Sequence, residues 1–240
     1  MSKILGILQP IALISVPVVL IVCALLGTDQ NALLTLFVVV AALIPFFAQF
    51  ELRRPRPRDI MPIVVLSAIA IAGRLLFAAL PNFKPVTAIV ILGALCFGKQ
   101  SGFLIGALSA LASNIFFGQG AWSPWQMYAW GMIGYVAGSL SNTRLMQHNI
   151  GVYIYGCIAS LCFGLLMDTW TLIAFVHPIT WPAALLNYSA GISFNLIHAV
   201  STLVFLLVLL RPWRKKLERI RTKFGILDFP SQADDVSTLK

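Results

Sequence analysis

Two formal charges lie deep inside apolar runs of the sequence, Arg74 and Asp168. An ionisable side chain in such a run is costly to desolvate, so it is normally paired or set on a functional path. Two arrangements satisfy that requirement: an Arg74–Asp168 ion pair tying two helices, or contact of these groups with a polar ligand. Asn114, Asn195 and His198 add polar atoms to later runs, where an interhelical hydrogen bond serves them as well as a ligand does. Tryptophan is concentrated nearby. Trp122, Trp125, Trp130, Trp170 and Trp181 gather around Gly118-Gln119-Gly120-Ala121-Trp122-Ser123-Pro124-Trp125-Gln126 and His177-Pro178-Ile179-Thr180-Trp181-Pro182, and Pro81-Asn82-Phe83-Lys84-Pro85 adds an aromatic and a cation. Aromatic faces beside amides can wall a pocket for a large, planar, polar-rimmed ligand. The same residues can form a lopsided interfacial belt. The candidate ligand-facing set is Arg74, Asn82, Phe83, Lys84, Asn114, Gln119, Trp122, Trp125, Gln126, Asp168, Trp170 and Trp181.

Catalytic and metal chemistry find little support. There is no G-x-x-x-x-G-K-[ST] phosphate loop, so the chain by itself cannot draw on ATP. No H-E-x-x-H, paired acidic motif or Ser-His-Asp set occurs in the apolar runs. The expectation is no enzyme, no metal and no resident cofactor. The four cysteines, Cys23, Cys96, Cys157 and Cys162, fall in apolar runs without zinc-ligand spacing and read as small packing residues. A relay of several acids, as a proton-coupled carrier would need, is unsupported with one carboxylate in the runs.

The elements that must position these groups follow from composition. The 240 residues are 59% hydrophobic and 10% charged, with a mean hydropathy of +0.90. Soluble domains are far more charged, and disordered chains far less apolar. A hydrocarbon core of about 30 Å takes roughly 20 apolar residues per helix. Apolar segments near 10–27, 32–50, 60–80, 86–98, 102–117, 125–140, 151–176 and 184–210 predict about eight spans. The fourth and fifth are short, and a helical hairpin is one way to accommodate them. The first is read as retained rather than as a cleaved leader, for want of an A-x-A-like site.

Basic residues set the orientation. With the N-terminus inside, all of the 17 lysines and arginines except Lys84 and Arg74 fall on the cytoplasmic side, and both termini are cytoplasmic. The net charge of +9 is then a topology signal, with no nucleic-acid partner implied. The tryptophans, Trp213 apart, fall on the outer side. The expected organisation is all-α and integral to the membrane. A transmembrane hairpin spans 1–50, a basic linker 51–59, a six-helix core 60–210 and a basic tail 211–240. Arg-Pro alternation in the linker disfavours helix. The tail from Trp213 to Phe224 has apolar residues at helical spacing, which predicts a helix along an anionic leaflet, followed by a disordered end from Gly225. Small residues four apart, Ala68 with Ala72, Gly102 with Gly106 and Gly134 with Gly138, mark surfaces of close helix approach.

From about Ile60 to Phe224 the chain resembles the substrate-binding S components of energy-coupling factor (ECF) transporters. Gly73-Arg74, Pro81-Asn82-Phe83-Lys84-Pro85-Val86, Ser113-Asn114-Ile115-Phe116-Phe117-Gly118-Gln119-Gly120, Trp122-Ser123-Pro124-Trp125-Gln126-Met127, Met167-Asp168-Thr169-Trp170 and Leu217-Glu218-Arg219-Ile220 carry the likeness. Within that family it is most similar to the cobalamin branch. The resemblance implies a six-helix core in a bacterial cell membrane that captures a vitamin, cobalamin (vitamin B12), from outside. It implies association with a membrane-embedded T component and two cytoplasmic ATPases, and toppling in the membrane to release the cargo. It also implies that Ala68 and Ala72 dock on the T component and that the exterior loops close over the ligand. Other cargoes of the family, a queuosine precursor or a flavin, suit the same residue types. A lipid-modifying membrane enzyme would need a cluster of acids or a metal site, and a proton-coupled carrier would need charges along a path.

Overall fold

The computed structural model describes residues 8–12, 14–19, 22, 31–52 and 55–226. Lys3, Cys23, Arg53, Arg54, Lys240, part of the first apolar segment and nearly all of the end from Gly225 lie outside the described residues. Every regular element among the described residues is helical. After short helical runs at 8–12 and 14–19, the helices are α1 (Asn31–Leu52), α2 (Pro57–Leu76), α3 (Val86–Phe117), α4 (Trp122–Leu140), α5 (Arg144–Gln147), α6 (Asn149–Phe175) and α7 (Trp181–Phe224). Of these, α2, α3, α6 and α7 are long and apolar enough to cross a membrane.

α3 is the axis of the bundle, and it is two arms rather than one rod. Gly98 has φ 81° and ψ 176°, a backbone state open to glycine and not to an L-residue in a helix. The chain doubles back there: the methylene position of Gly102 lies against Ala94, and that of Gly93 against Ile105. In a straight helix residues 94 and 102 would stand about 12 Å apart. The two short apolar segments of the sequence are therefore a hairpin. Its first arm, 86–97, reaches only about 18 Å, which is why it holds no lipid-facing surface. Every residue from Val86 to Phe97 is buried.

The other helices wrap this hairpin. α4 packs along the second arm so closely that Gly102 sits on the backbone of Gly134, and Gly106 on that of Trp130 and Gly131. The two Gly-x-x-x-Gly pairs are thus consumed inside the chain. α6 and α7 form a second antiparallel pair, with a Ser160–Thr202 hydroxyl bond of 2.7 Å between them. α1 joins through a ring stack, Phe46 on Phe103 at 3.8 Å. A buried amide lock supports it, in which Gln100 donates to the Phe46 carbonyl and accepts from Gln9 at 2.9 Å.

α2 begins at Pro57, where the missing N–H costs nothing, and Asp59 accepts the Arg56 N–H at 3.0 Å. The basic linker is correspondingly shorter than 51–59. α7 continues through Pro212 to Phe224 without a break. Its basic end packs on protein: Arg214 donates to the Met146 carbonyl and Arg221 to the Cys96 carbonyl, each at 3.2 Å.

Candidate functional site

Arg74 stands two residues before the end of α2, where it faces the last turn of α3 and the first turns of α4. Ser113, Asn114 and Phe117 share one face of α3 because they are three and four residues apart; Ser123, Gln126 and Trp130 do the same on α4. These faces meet at the arginine. Its Nη1 donates to Ser113 Oγ and to Asn114 Oδ1, the latter at 2.8 Å. Its guanidinium carbon lies 4.7 Å from the ring centre of Phe117 and 5.1 Å from that of Trp130. Two neutral acceptors and two aromatic faces therefore hold this cation.

Asn114, 1% exposed, is the hub. Its Nδ2 donates to Ser123 Oγ at 3.0 Å and to Gln126 Oε1 at 2.8 Å. Ser123 Oγ donates in turn to Gln119 Oε1 at 2.6 Å, and Gln119 Nε2 donates to the Leu111 carbonyl at 2.7 Å. Arg74, Asn114, Gln119 and Gln126 are therefore one connected network. Trp130 extends it inward: its indole N–H reaches Thr87 Oγ1 at 3.0 Å, and Thr87 pairs with His198 Nε2 at 2.8 Å.

Lys84 approaches the same Phe117 ring, with Nζ 5.7 Å from its centre. The ammonium donates to the carbonyls of Phe77, Ala78 and Leu80, closing the open end of α2. Burial, and then the Arg74 charge, hold its pKa below the usual lysine value. Asn82 and Phe83 are turned elsewhere. Asn82 Nδ2 ties the loop to the Phe194 carbonyl at 3.2 Å, and Phe83 packs on Phe77 and Phe205.

The remaining candidates divide. Trp122 and Trp170 meet edge to face at 6.1 Å, joining α4 to α6. Trp125 is 1% exposed, and its indole nitrogen is buried without a partner among the described residues. Trp181 is 82% exposed at the start of α7. Asp168 lies on the α6–α7 pair, where its carboxylate accepts from Asn195 Nδ2 at 2.7 Å and Asn187 donates to its carbonyl. The one ion pair among the described residues is Arg214–Glu218, so Arg74 and Asp168 are not joined. Ser113, Phe117, Ser123, Trp130 and Thr87 were not singled out as site residues in the sequence. Their signal was the helical register that places each beside Arg74 or Asn114.

On the surface of α2, Ala68 and Ala72 are both exposed and make no part of the interior. Ala72 lines an apolar groove of about 670 Å³ that runs between α2 and α7 and includes Phe83 and Trp213.

A bundle of this composition, with several helices able to cross a membrane, is that of a multi-pass membrane protein. Residues 27–215 match the model of a family of unknown function, DUF6580, and the chain belongs to that family. No curated protein and no solved structure matches it.

Proposed function

We propose that this protein is the substrate-binding membrane subunit of an ECF-type vitamin importer, with cobalamin as its cargo. The observation that carries the reading is the connected polar network of Arg74, Asn114, Gln119, Ser123 and Gln126 under the aromatic faces of Phe117 and Trp130. It is assembled from α2, α3 and α4 at one end of the bundle, opposite the end that carries Lys99, Arg144 and the basic part of α7. In the proposed topology of eight spans, each arm of α3 counted as one, both termini are cytoplasmic and the network opens outward in a bacterial cell membrane. A corrin presents a broad apolar face rimmed by amides, and amide and hydroxyl partners beside aromatic walls suit it. Its phosphodiester suits Arg74, whose charge has no acid against it. Among the described residues the buried indole N–H of Trp125 has no partner, and a donor left unmet costs about 1–3 kcal/mol, so a ligand acceptor that reached it would gain from it.

Transport in this proposal is powered by partners: a T component in the membrane and two ATPases. Exposure of Ala68 and Ala72 supports a docking role, because the Gly-x-x-x-Gly pairs are used within the chain and this small-residue pair is not. The chain is then a binding protein rather than an enzyme.

Titration of the purified protein with cobalamin, with riboflavin as control, tests the assignment by calorimetry or co-elution absorbance. Saturable one-to-one binding of cobalamin is the expected result. A folded preparation that binds neither, or flux and turnover from the purified chain without partners, would overturn it.

A further inference from the structure

The opposite end of the bundle holds a cleft of about 640 Å³ that the vitamin reading does not use. Three cations line it: Lys99 at the α3 turn, and Arg214 and Arg221 on α7. The one acid in the lining, Glu218, is 3.0 Å from Arg214 Nε and already engaged. Two positive charges are therefore uncompensated within the cleft.

Their donors are not exhausted. A guanidinium has five N–H donors and an ammonium three. Arg221 gives one hydrogen bond, to the Cys96 carbonyl, and Arg214 gives two, to Glu218 and the Met146 carbonyl. Lys99 makes no hydrogen bond among the described residues; its ammonium lies 5.3 Å from the Tyr135 ring centre. The rest of the lining is mostly polar, with Gln100, Ser101, Ser139, Ser141, Asn142 and Gln147 beside the apolar Phe50, Leu95 and Phe97.

We propose that this cleft binds a phosphate-bearing anion, with Lys99 and Arg221 as its principal contacts and Arg214 held in place by Glu218. A phosphate ester offers acceptors to several donors at once and neutralises the excess charge. The headgroup of an anionic phospholipid carries this chemistry, and basic pockets between helix ends are where such headgroups bind. Free phosphate shares the chemistry, and the experiment separates the two.

The full-length protein is reconstituted in nanodiscs of equal phosphatidylcholine and phosphatidylglycerol, then released for native mass spectrometry. The lipid-stripped protein is melted in parallel with and without inorganic phosphate. Phosphatidylglycerol should be retained in preference, with retention falling about fivefold in Lys99→Gln or Arg221→Gln and persisting in Lys99→Arg. Lys215→Gln, a cation outside the lining, should leave it unchanged. Stabilisation by inorganic phosphate that Lys99→Gln abolishes, without lipid preference, supports the same site with a soluble ligand. Equal retention of both lipids with no phosphate effect would overturn the proposal. So would an equal loss in Lys99→Gln and Lys215→Gln, which marks diffuse surface charge. Lys99 is exposed and makes no hydrogen bond among the described residues, so its variants keep the test readable if Arg221→Gln misfolds.

Discussion

Replacing Asn114 with alanine tests whether the network around Arg74 is held by one residue. The amide accepts from Arg74 at 2.8 Å and donates to Ser123 and Gln126 at 3.0 and 2.8 Å. Interhelical hydrogen bonds inside membranes average about 0.6 kcal/mol and reach about 1.7, so three of them set a floor near 2 kcal/mol. The bond to the guanidinium belongs at the upper end, because charged donors gain about 1.5–3 kcal/mol. The expected loss for Asn114→Ala is about 2–4 kcal/mol, or roughly 4–16 °C in melting temperature for a chain of this size. Asn114→Asp is the informative comparison. It keeps an acceptor for Arg74, now as an ion pair, and gives up both donors, so it should lose less than alanine. Both are read by thermal unfolding in one detergent, with cobalamin affinity measured on the folded fraction. An alanine variant that loses under about 0.5 kcal/mol, or an aspartate variant that loses more, would refute the claim that Asn114 holds Arg74 in place.

Three further outcomes follow from the packing. Thr87→Val strands the Trp130 indole N–H and His198 Nε2 together, so it should cost about 2–4 kcal/mol in the same melt, while Thr87→Ser stays near wild type. Gly106→Val forces a side chain onto the Trp130 backbone; a loss of at least about 3 kcal/mol or of folded yield is expected, and a wild-type melt would show that α3 and α4 are less closely packed than described. Ala68→Trp and Ala72→Trp should leave the melt and ligand binding unchanged yet abolish uptake in cells that co-express a T component and its ATPases, and undiminished uptake in both would remove this face from the docking reading.

Much of the scaffold was readable because it rests on hydropathy and backbone chemistry. The segments at 86–98 and 102–117 are short for full spans, which points to a helical hairpin; Gly98, at the end of the first and able to take a positive φ, is where the chain turns. What could not be read was partnership. Arg74 and Asp168 look alike as charges within apolar runs, and periodicity cannot tell that each is met by an asparagine from a neighbouring helix. Trp125 and Trp181 look alike as loop-flanking aromatics, yet one is core and the other exposed. Only the register of α4 against α3 separates them. The sequence predicts a helix over Trp213–Phe224 along an anionic leaflet; α7 runs through Pro212 into that stretch, and two of its arginines find carbonyls on α5 and α3.

The separation of Arg74 and Asp168, both half-buried, bears on function. An Arg74–Asp168 pair would have satisfied both ions within the chain, leaving neither able to gain from a ligand. Here the arginine is held by neutral atoms and ring faces on α3 and α4, and the aspartate by amides on α7. Neutral partners fix the position of a charge without cancelling it. A cation so placed keeps most of its field, and an incoming ligand with an acceptor or an anionic group meets that field at full strength. A purely structural role for Arg74 would be served as well by methionine of similar length. Arg74→Met should therefore separate the two: stability falls modestly as Ser113 and Asn114 lose a donor, while ligand affinity falls by a larger factor. The opposite order, stability lost and affinity kept in the folded fraction, would return Arg74 to the scaffold.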